Sequence, residues 1–330
     1  MQNTTFLVTN KCNLFCYHCF SNSGQVIENE LSFGDKLKAV DVLKQLGTKR
    51  LVFSGGEPLL YENIFSLISY AKSKELKVSL LTNATKLDYN KIIKLKGLGI
   101  SSLAISIYSR DILRYDENNY LKYLVTVKSA TRLLTDEKVK FKITIPVTSR
   151  NSEFVINIIK EFQTLNITPK KIRLFIVTPV GKCCENLELS PSHSIWLNTI
   201  AKVKSQCKET GYDIYYEENY TSNTDIYCGC QIKEYSYAHD NDFADPHVDA
   251  NGDIYLCGLL LRNKKYLIGN INECNIMEIK KNIHYQAECV KRVESGKIDG
   301  DFCMALNREV PNKKYKTKLV CPIVYNSNSL

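Results

Sequence analysis

The sequence predicts an α/β protein in which a parallel sheet carries helices on its outside and closes, or partly closes, as a barrel, with a smaller α+β domain after it. Three observations lead there. Strand-like apolar runs and amphipathic stretches alternate through six βα units, the alternation stops after about residue 211, and an Asn251-Gly252 hairpin signal stands in the tyrosine-rich remainder. Alternation of this kind puts the chemistry at the C-terminal ends of the strands. The predicted boundaries are 1–210 and 211–330. With 330 residues, 44% of them hydrophobic, the chain can bury a substantial core.

Each element has its own signal. The strands are expected at FLVT from Phe6, RLVFSG from Arg50, KVSLLTN from Lys77, LAISIYS from Leu103, KFKITIPV from Lys140 and KIRLFIV from Lys171. Helical periodicity falls at about 35–46, 61–73, 88–97, 118–134 and 152–165, and IWLNTIAKVKSQCKE follows the sixth strand, with Trp196 expected in the core. After that come YDIYYEENY, the Cys228-Gly-Cys230 pair and HVDANGDIYLCG, whose Asn-Gly between β-prone arms marks a hairpin.

Composition narrows the function classes. The N-terminal MQNTTFLVTNKC lacks a charged segment followed by an apolar one, and no run of about 18 apolar residues occurs, so a soluble cytoplasmic protein without a membrane partner is expected. Thirteen cysteines in such a chain favour metal or thiol chemistry over a disulfide framework. The net charge of +9 is spread over lysines, as in KLKGLG and PNKKYKTK, and reads first as a solvated surface. It would also help attract an acidic partner such as a peptide leader, and no nucleic-acid partner is expected.

Three of the cysteines, Cys12, Cys16 and Cys19, fall within KCNLFCYHCF just after the first strand. Three thiolates can hold three irons of a 4Fe-4S cubane and leave the fourth iron open to another ligand. A zinc knuckle is the competing reading, but it wants a fourth nearby ligand, and His18 is awkwardly placed between two of the thiols. After the second strand comes Ser54-Gly55-Gly56-Glu57-Pro58, with glycines that permit close backbone approach and a carboxylate able to accept from an ammonium group.

Together, C-x3-C-x2-C and GGEP resemble the signature of radical S-adenosylmethionine (radical SAM) enzymes. The resemblance implies a cluster on Cys12, Cys16 and Cys19, with S-adenosylmethionine (SAM) on the open iron and Gly55, Gly56 and Glu57 at its amino group. LLTNAT at 80–85 is similar to the family's TNG strand end, bringing in Asn83, with Ala84 in place of the usual glycine. SIYS at 106–109 resembles the strand whose serine, Ser106, reaches the SAM ribose or carboxylate, and His18 stands where an aromatic residue packs near adenine. The implied fold is a partial (β/α)6 barrel. The implied chemistry is one-electron cleavage of SAM to a 5'-deoxyadenosyl radical that abstracts a substrate hydrogen.

The second cysteine group is similar to SPASM and twitch domains: Gly252 to Cys257 has their G-x4-C spacing, followed by LIGNI at 267–271 and the helix-like INECNIMEIKKN. The dense cysteine run of a two-cluster domain is missing, since Leu306 stands where a second cysteine after Cys303 would be. One auxiliary Fe-S cluster is therefore expected on Cys230, Cys257, Cys303 and Cys321, with Cys228 competing for the first place. The thiol left over, Cys228 or Cys230, is a candidate hydrogen-atom donor or a buried residue. Cys207, Cys274 and Cys289 are expected to be small apolar packing residues, Cys183 and Cys184 structural, and Arg114 and Asp116 surface charges.

Chains with this combination most often resemble maturases of ribosomally made peptides (RiPPs), which form crosslinks or thioethers or epimerise a Cα centre. Fold and cofactor do not choose among these reactions. A sulfatase-maturase-like enzyme, a cofactor-biosynthesis enzyme and a non-catalytic Fe-S or zinc protein are the alternatives. The eleven residues before Cys12 are too few for an N-terminal leader-binding domain, so the leader is expected on the barrel, on the C-terminal domain or on a separate protein. The implied partners are a precursor peptide and an electron donor such as flavodoxin or ferredoxin.

Overall fold

The computed structural model describes residues 3–216 and 246–283 and builds all six strand-helix units in chain order. They are β1 (Asn3–Leu7), α1 (Phe33–Gln45), β2 (Arg50–Ser54), α2 (Ile64–Ser73), β3 (Lys77–Thr82), α3 (Tyr89–Gly97), β4 (Ser102–Ser106), α4 (Glu117–Asp136), β5 (Phe141–Val147), α5 (Ser152–Thr164), β6 (Lys171–Ile176) and α6 (His193–Gln206). Four of the helices begin at a side-chain cap. Ser32, Asp88, Asp116 and Ser192 accept from the backbone N–H of Asp35, Lys91, Asn119 and Ile195 respectively, each cap contributing about 1 kcal/mol.

Several boundaries differ from the sequence reading, such as β4, which ends at Ser106 rather than 109, and two of the differences have a clear structural cause. The second helix starts at Ile64 rather than 61, because Pro58–Leu60 forms a separate 3-10 turn capped by Glu57. The first strand runs from Asn3 to Leu7 rather than from Phe6 onward. Its polar threonines belong to it because Thr4 is buried and its hydroxyl bonds that of Thr48 at 2.8 Å.

Strands β1 to β6 are parallel and adjacent in sequence order, and the sheet continues at both ends. On one side β7 (Ile214–Tyr216) adds parallel to β6. On the other, β8 (His247–Val248) adds parallel to β1, then β9 (Asp253–Tyr255) and β10 (Gly269–Asn270) follow antiparallel. The hairpin at Asn251-Gly252 thus extends the barrel sheet at its first strand. Gly252 there has φ +91°, a conformation that favours glycine. No pairing joins β7 to β10, so the sheet of the described residues stays open.

The core lies between sheet and helices. Phe6, Phe53, Leu80, Ile105, Ile143 and Leu174, one from each barrel strand, are fully buried, and Trp196 of α6 is 1% exposed, as expected for a core residue. Each such side chain contributes on the order of 1.5–3 kcal/mol of burial. Among the described residues no helix is long and apolar enough to cross a membrane.

Candidate active site

The loop that carries Cys12, Cys16 and Cys19 leaves the C-terminal end of β1 and is held on several sides by backbone contacts. Cys12 N donates to Gly24 O at 2.9 Å and Gly24 N to Asn10 O at 2.9 Å, folding residues 20–31 back beneath it. Tyr17 N donates to Ile112 O at 2.9 Å and Arg114 N to Phe15 O at 3.2 Å, tying the middle of the loop to the segment after β4. Sulfurs of the loop receive backbone N–H groups: Leu14 N lies 3.4 Å from Cys12 Sγ and Ser23 N 3.3 Å from Cys19 Sγ. Burial pushes the Cys12 thiol up to about 11 and that of Cys16 well above its usual value.

The GGEP glycines have a role that the sequence leaves open. At Gly55 (φ +144°) an added Cβ would stand 2.4 Å from Thr9 O, and at Gly56 it would stand 2.3 Å from Lys11 O. Their bare backbone lets the end of β2 press directly on the cysteine loop, with Gly56 N donating to Thr9 O at 2.8 Å and Glu57 N to Lys11 O at 2.9 Å. Glu57 is fully buried, and its carboxylate accepts from Leu59 N (3.0 Å), Thr82 Oγ1 (2.7 Å) and Asn83 N (2.8 Å). Three acceptor positions are thereby used within the protein, and a carboxylate offers about four. Burial outweighs these bonds and raises its pKa to about 7.

Asn83 stands at the C-terminal end of β3, 5% exposed. Its Nδ2 donates to Asn13 Oδ1 at 3.2 Å, and Asn13 Nδ2 donates to Thr85 Oγ1 at 2.7 Å, so a residue between two of the cysteines is fastened to β3. Ala84 keeps the left-handed conformation, with φ +60°, although it is not glycine. Ser106 ends β4, and its hydroxyl is a hydrogen-bond partner of Tyr108. His18 is half-buried with its ring centroid 5.2 Å from that of Tyr108. Its Nδ1 is shut off from solvent without a partner, and burial lowers its pKa to about 4, so the ring is neutral at pH 7.

Sequence reasoning missed two cations. Lys182, just after β6, donates from its backbone to Cys19 O (2.9 Å) and from Nζ to Ser23 O (2.6 Å). Its neighbour Gly181 (φ +61°) packs so closely that a Cβ would stand 2.4 Å from Cys19 O. Arg262, beyond the hairpin, donates to Ser21 O (2.6 Å) and Asn10 Oδ1 (2.7 Å). No periodicity or motif marks either residue; only the long-range fold brings them here. Cys183 is buried among Ile112, Val177 and Leu189. Cys207 is buried at the end of α6 and Asp116 caps α4. Arg114 lies over the Tyr17 ring at 5.2 Å.

The residues suit an iron-sulfur cubane better than a single ion. One zinc ion needs its ligands to converge, and among the described residues no three His, Cys, Asp or Glu side chains do so. A cubane takes each thiolate on a different iron. Three buried or half-buried thiols on one short loop, N–H groups on the sulfurs and an orphaned His18 Nδ1 fit a cluster with a polar ligand beside it. In the second group only Cys257 is described; it follows β9 and is half-buried. Cys228, Cys230, Cys303 and Cys321, like Cys289, lie outside the described residues.

A family model described as the radical SAM superfamily matches residues 6–162, the span from β1 through α5. The chain carries a radical SAM domain over that span. Such a domain implies a 4Fe-4S cluster and SAM. Among curated proteins it is similar to an uncharacterized protein of Methanocaldococcus jannaschii, 28% identical over 85% of this chain and 92% of that one. It is also similar to an AdoMet-dependent heme synthase of Methanosarcina barkeri, 27% identical over 56% of this chain and 53% of the relative. Among solved structures this chain shares its fold with SuiB of Streptococcus suis bound to the precursor peptide SuiA, with TM-score 0.61, 16% identity and coverage of 84% and 64%. The fold is shared too with anSMEcpe holding AdoMet and the Cp18Cys peptide, with TM-score 0.61, 18% identity and coverage of 99% and 94%. The chain thus spans about half the length of the heme synthase and 64% of SuiB.

Proposed function

We propose that this radical SAM chain is a cytoplasmic oxidoreductase that modifies a residue of a ribosomally made peptide by crosslinking, thioether formation or epimerisation. The observation that carries the reading is the breadth of the shared scaffold. It extends over 99% of this chain to a structure holding both AdoMet and a peptide, and over 84% to one holding a precursor peptide.

Cys12, Cys16 and Cys19 would hold the cluster at the mouth of the sheet. When bound, the cluster and SAM supply one-electron cleavage to a 5'-deoxyadenosyl radical that removes a hydrogen atom from substrate. The chain's own residues prepare the place. The Gly55-Gly56-Glu57 backbone fixes the cysteine loop and would border the SAM amino group, and Glu57 locks the ends of β2 and β3 together. Asn83 and Ser106 present polar groups at adjacent strand ends, and His18, a neutral ring with an unpartnered Nδ1, would pack near adenine.

The extension would carry one auxiliary Fe-S cluster on Cys257 with Cys230, Cys303 and Cys321, Cys228 competing, and a spare thiol of Cys228 or Cys230 would donate a hydrogen atom. Flavodoxin or ferredoxin would supply electrons, and a leader-binding protein would present the peptide. A second reading, tetrapyrrole or other cofactor biosynthesis, is favoured by the sequence likeness to AdoMet-dependent heme synthase.

The test incubates the reconstituted protein with SAM, reductant and the peptide encoded beside its gene. Loss of two hydrogens signals a crosslink or thioether. Unchanged mass, with one deuteron gained per centre in deuterated water, signals epimerisation. An unaltered peptide together with formation of heme from a tetrapyrrole precursor replaces this reading with the second.

A further inference from the structure

Arg262 sits in the left-handed region, φ +64°, a backbone conformation unfavourable for a residue that carries a side chain. Its guanidinium makes four hydrogen bonds. Two go to Asp249, Nε to Oδ2 at 2.7 Å and Nη2 to Oδ1 at 3.0 Å, and the others to Ser21 O and Asn10 Oδ1. Asp249 is 1% exposed, and it sits at the turn end of β8, where its Oδ1 also accepts from Ala250 N at 2.8 Å. Ser21 in turn lies beside a cluster ligand: its Oγ is 3.5 Å from Cys19 Sγ and 2.7 Å from Ser23 Oγ, and Ser23 N points at the same sulfur. The hairpin therefore reaches the surroundings of Cys19 through one fixed, permanently charged fork.

We infer that Arg262 is a positioning residue through which the C-terminal hairpin holds the Cys19 side of the cluster loop and sets the electrostatic potential felt there, with Asp249 partly cancelling its charge. The ion pair is asymmetric: the guanidinium contacts the loop directly, while the carboxylate lies behind it on the hairpin. A one-electron-reduced cluster carries one more negative charge than the oxidised form, so a nearby cation favours reduction and a nearby anion opposes it. The inference rests on the cluster being bound at the three-cysteine loop. Failure of that premise shows separately, as an EPR signal and SAM response that survive Cys12→Ala.

The experiment is an EPR-monitored redox titration of the reconstituted full chain, following the reduced signal whose shape changes when SAM is added. Arg262→Gln is expected to move the midpoint potential downward, Asp249→Asn to move it upward, and Arg262→Lys to stay near wild type because the charge is retained. Shifts of Gln and Asn in the same direction, or no shift in either with iron content retained, overturn the inference, because a purely structural latch would loosen the loop alike in both. If Arg262→Gln holds no cluster, the remaining pair decides. An unshifted Arg262→Lys with a raised Asp249→Asn supports it, and any other combination overturns it.

Discussion

Gly56 lies so close to Lys11 that a Cβ added to it would stand 2.3 Å from the Lys11 carbonyl oxygen, and 2.6 Å from that of Asn10. The end of β2 and the loop that starts the cysteine run are thus in backbone contact, and each is shaped by the other.

Gly56→Ala has to displace that backbone. The expected cost is about 1–3 kcal/mol of unfolding free energy, as for other overpacked sites. Iron retained after desalting should fall with it. Gly97→Ala, in α3 with nothing within 4 Å of the added Cβ, is the control and should not destabilise. Urea denaturation of both variants, with iron analysis, checks the pair.

Glu57 gives a pH signature. Its folded pKa of about 7 exceeds the ordinary value of 4.5, so between these values the folded chain binds more protons than the unfolded one. Stability contributed by this group is therefore present at low pH and lost as pH rises from about 4.5 through about 7, on the order of 3 kcal/mol in total. His18, lowered to about 4, slopes the opposite way below its ordinary 6.5, so the whole-protein profile mixes the two. The stability difference between wild type and Glu57→Gln, measured at pH 5 and pH 8, isolates Glu57. It should be more favourable to wild type at pH 5.

Asn13 and Asn83 should be energetically coupled. Removing either side chain breaks their 3.2 Å bond; Asn13→Ala also loses its 2.7 Å bond to Thr85 Oγ1, and Asn83→Ala the bonds that Asn83 Oδ1 accepts from Thr85 N (3.0 Å) and Thr85 Oγ1 (2.6 Å). Each alanine variant is expected to lose about 1–2 kcal/mol, and a double-mutant cycle to return a coupling of about 1 kcal/mol. A cycle that closes at zero would mean that the strand end and the cysteine loop are held independently.

Much of the barrel was legible because its code is local. The six apolar runs and the helices between them appear within a few residues of their expected places, and the Asn251-Gly252 hairpin forms where its turn residues point. The three cysteines and GGEP were legible as short-range motifs. Their division of labour was not, because the closeness of Gly55 and Gly56 to Thr9 and Lys11 is a tertiary fact. Arg262 and Ser21 are 241 residues apart, and Lys182 and Ser23 are 159 apart, separations at which no periodicity carries information. The addition of β8 to β1 is of the same kind, since two residues of strand pair leave little trace in sequence.

The most direct measurement is reductive cleavage of SAM by the anaerobically reconstituted chain. With dithionite and SAM, 5'-deoxyadenosine should accumulate, and Cys12→Ala, Cys16→Ala and Cys19→Ala should each abolish it. Iron-loaded wild type that forms none, or a Cys12→Ala variant that forms as much as wild type, would contradict the assignment of the cluster to this loop.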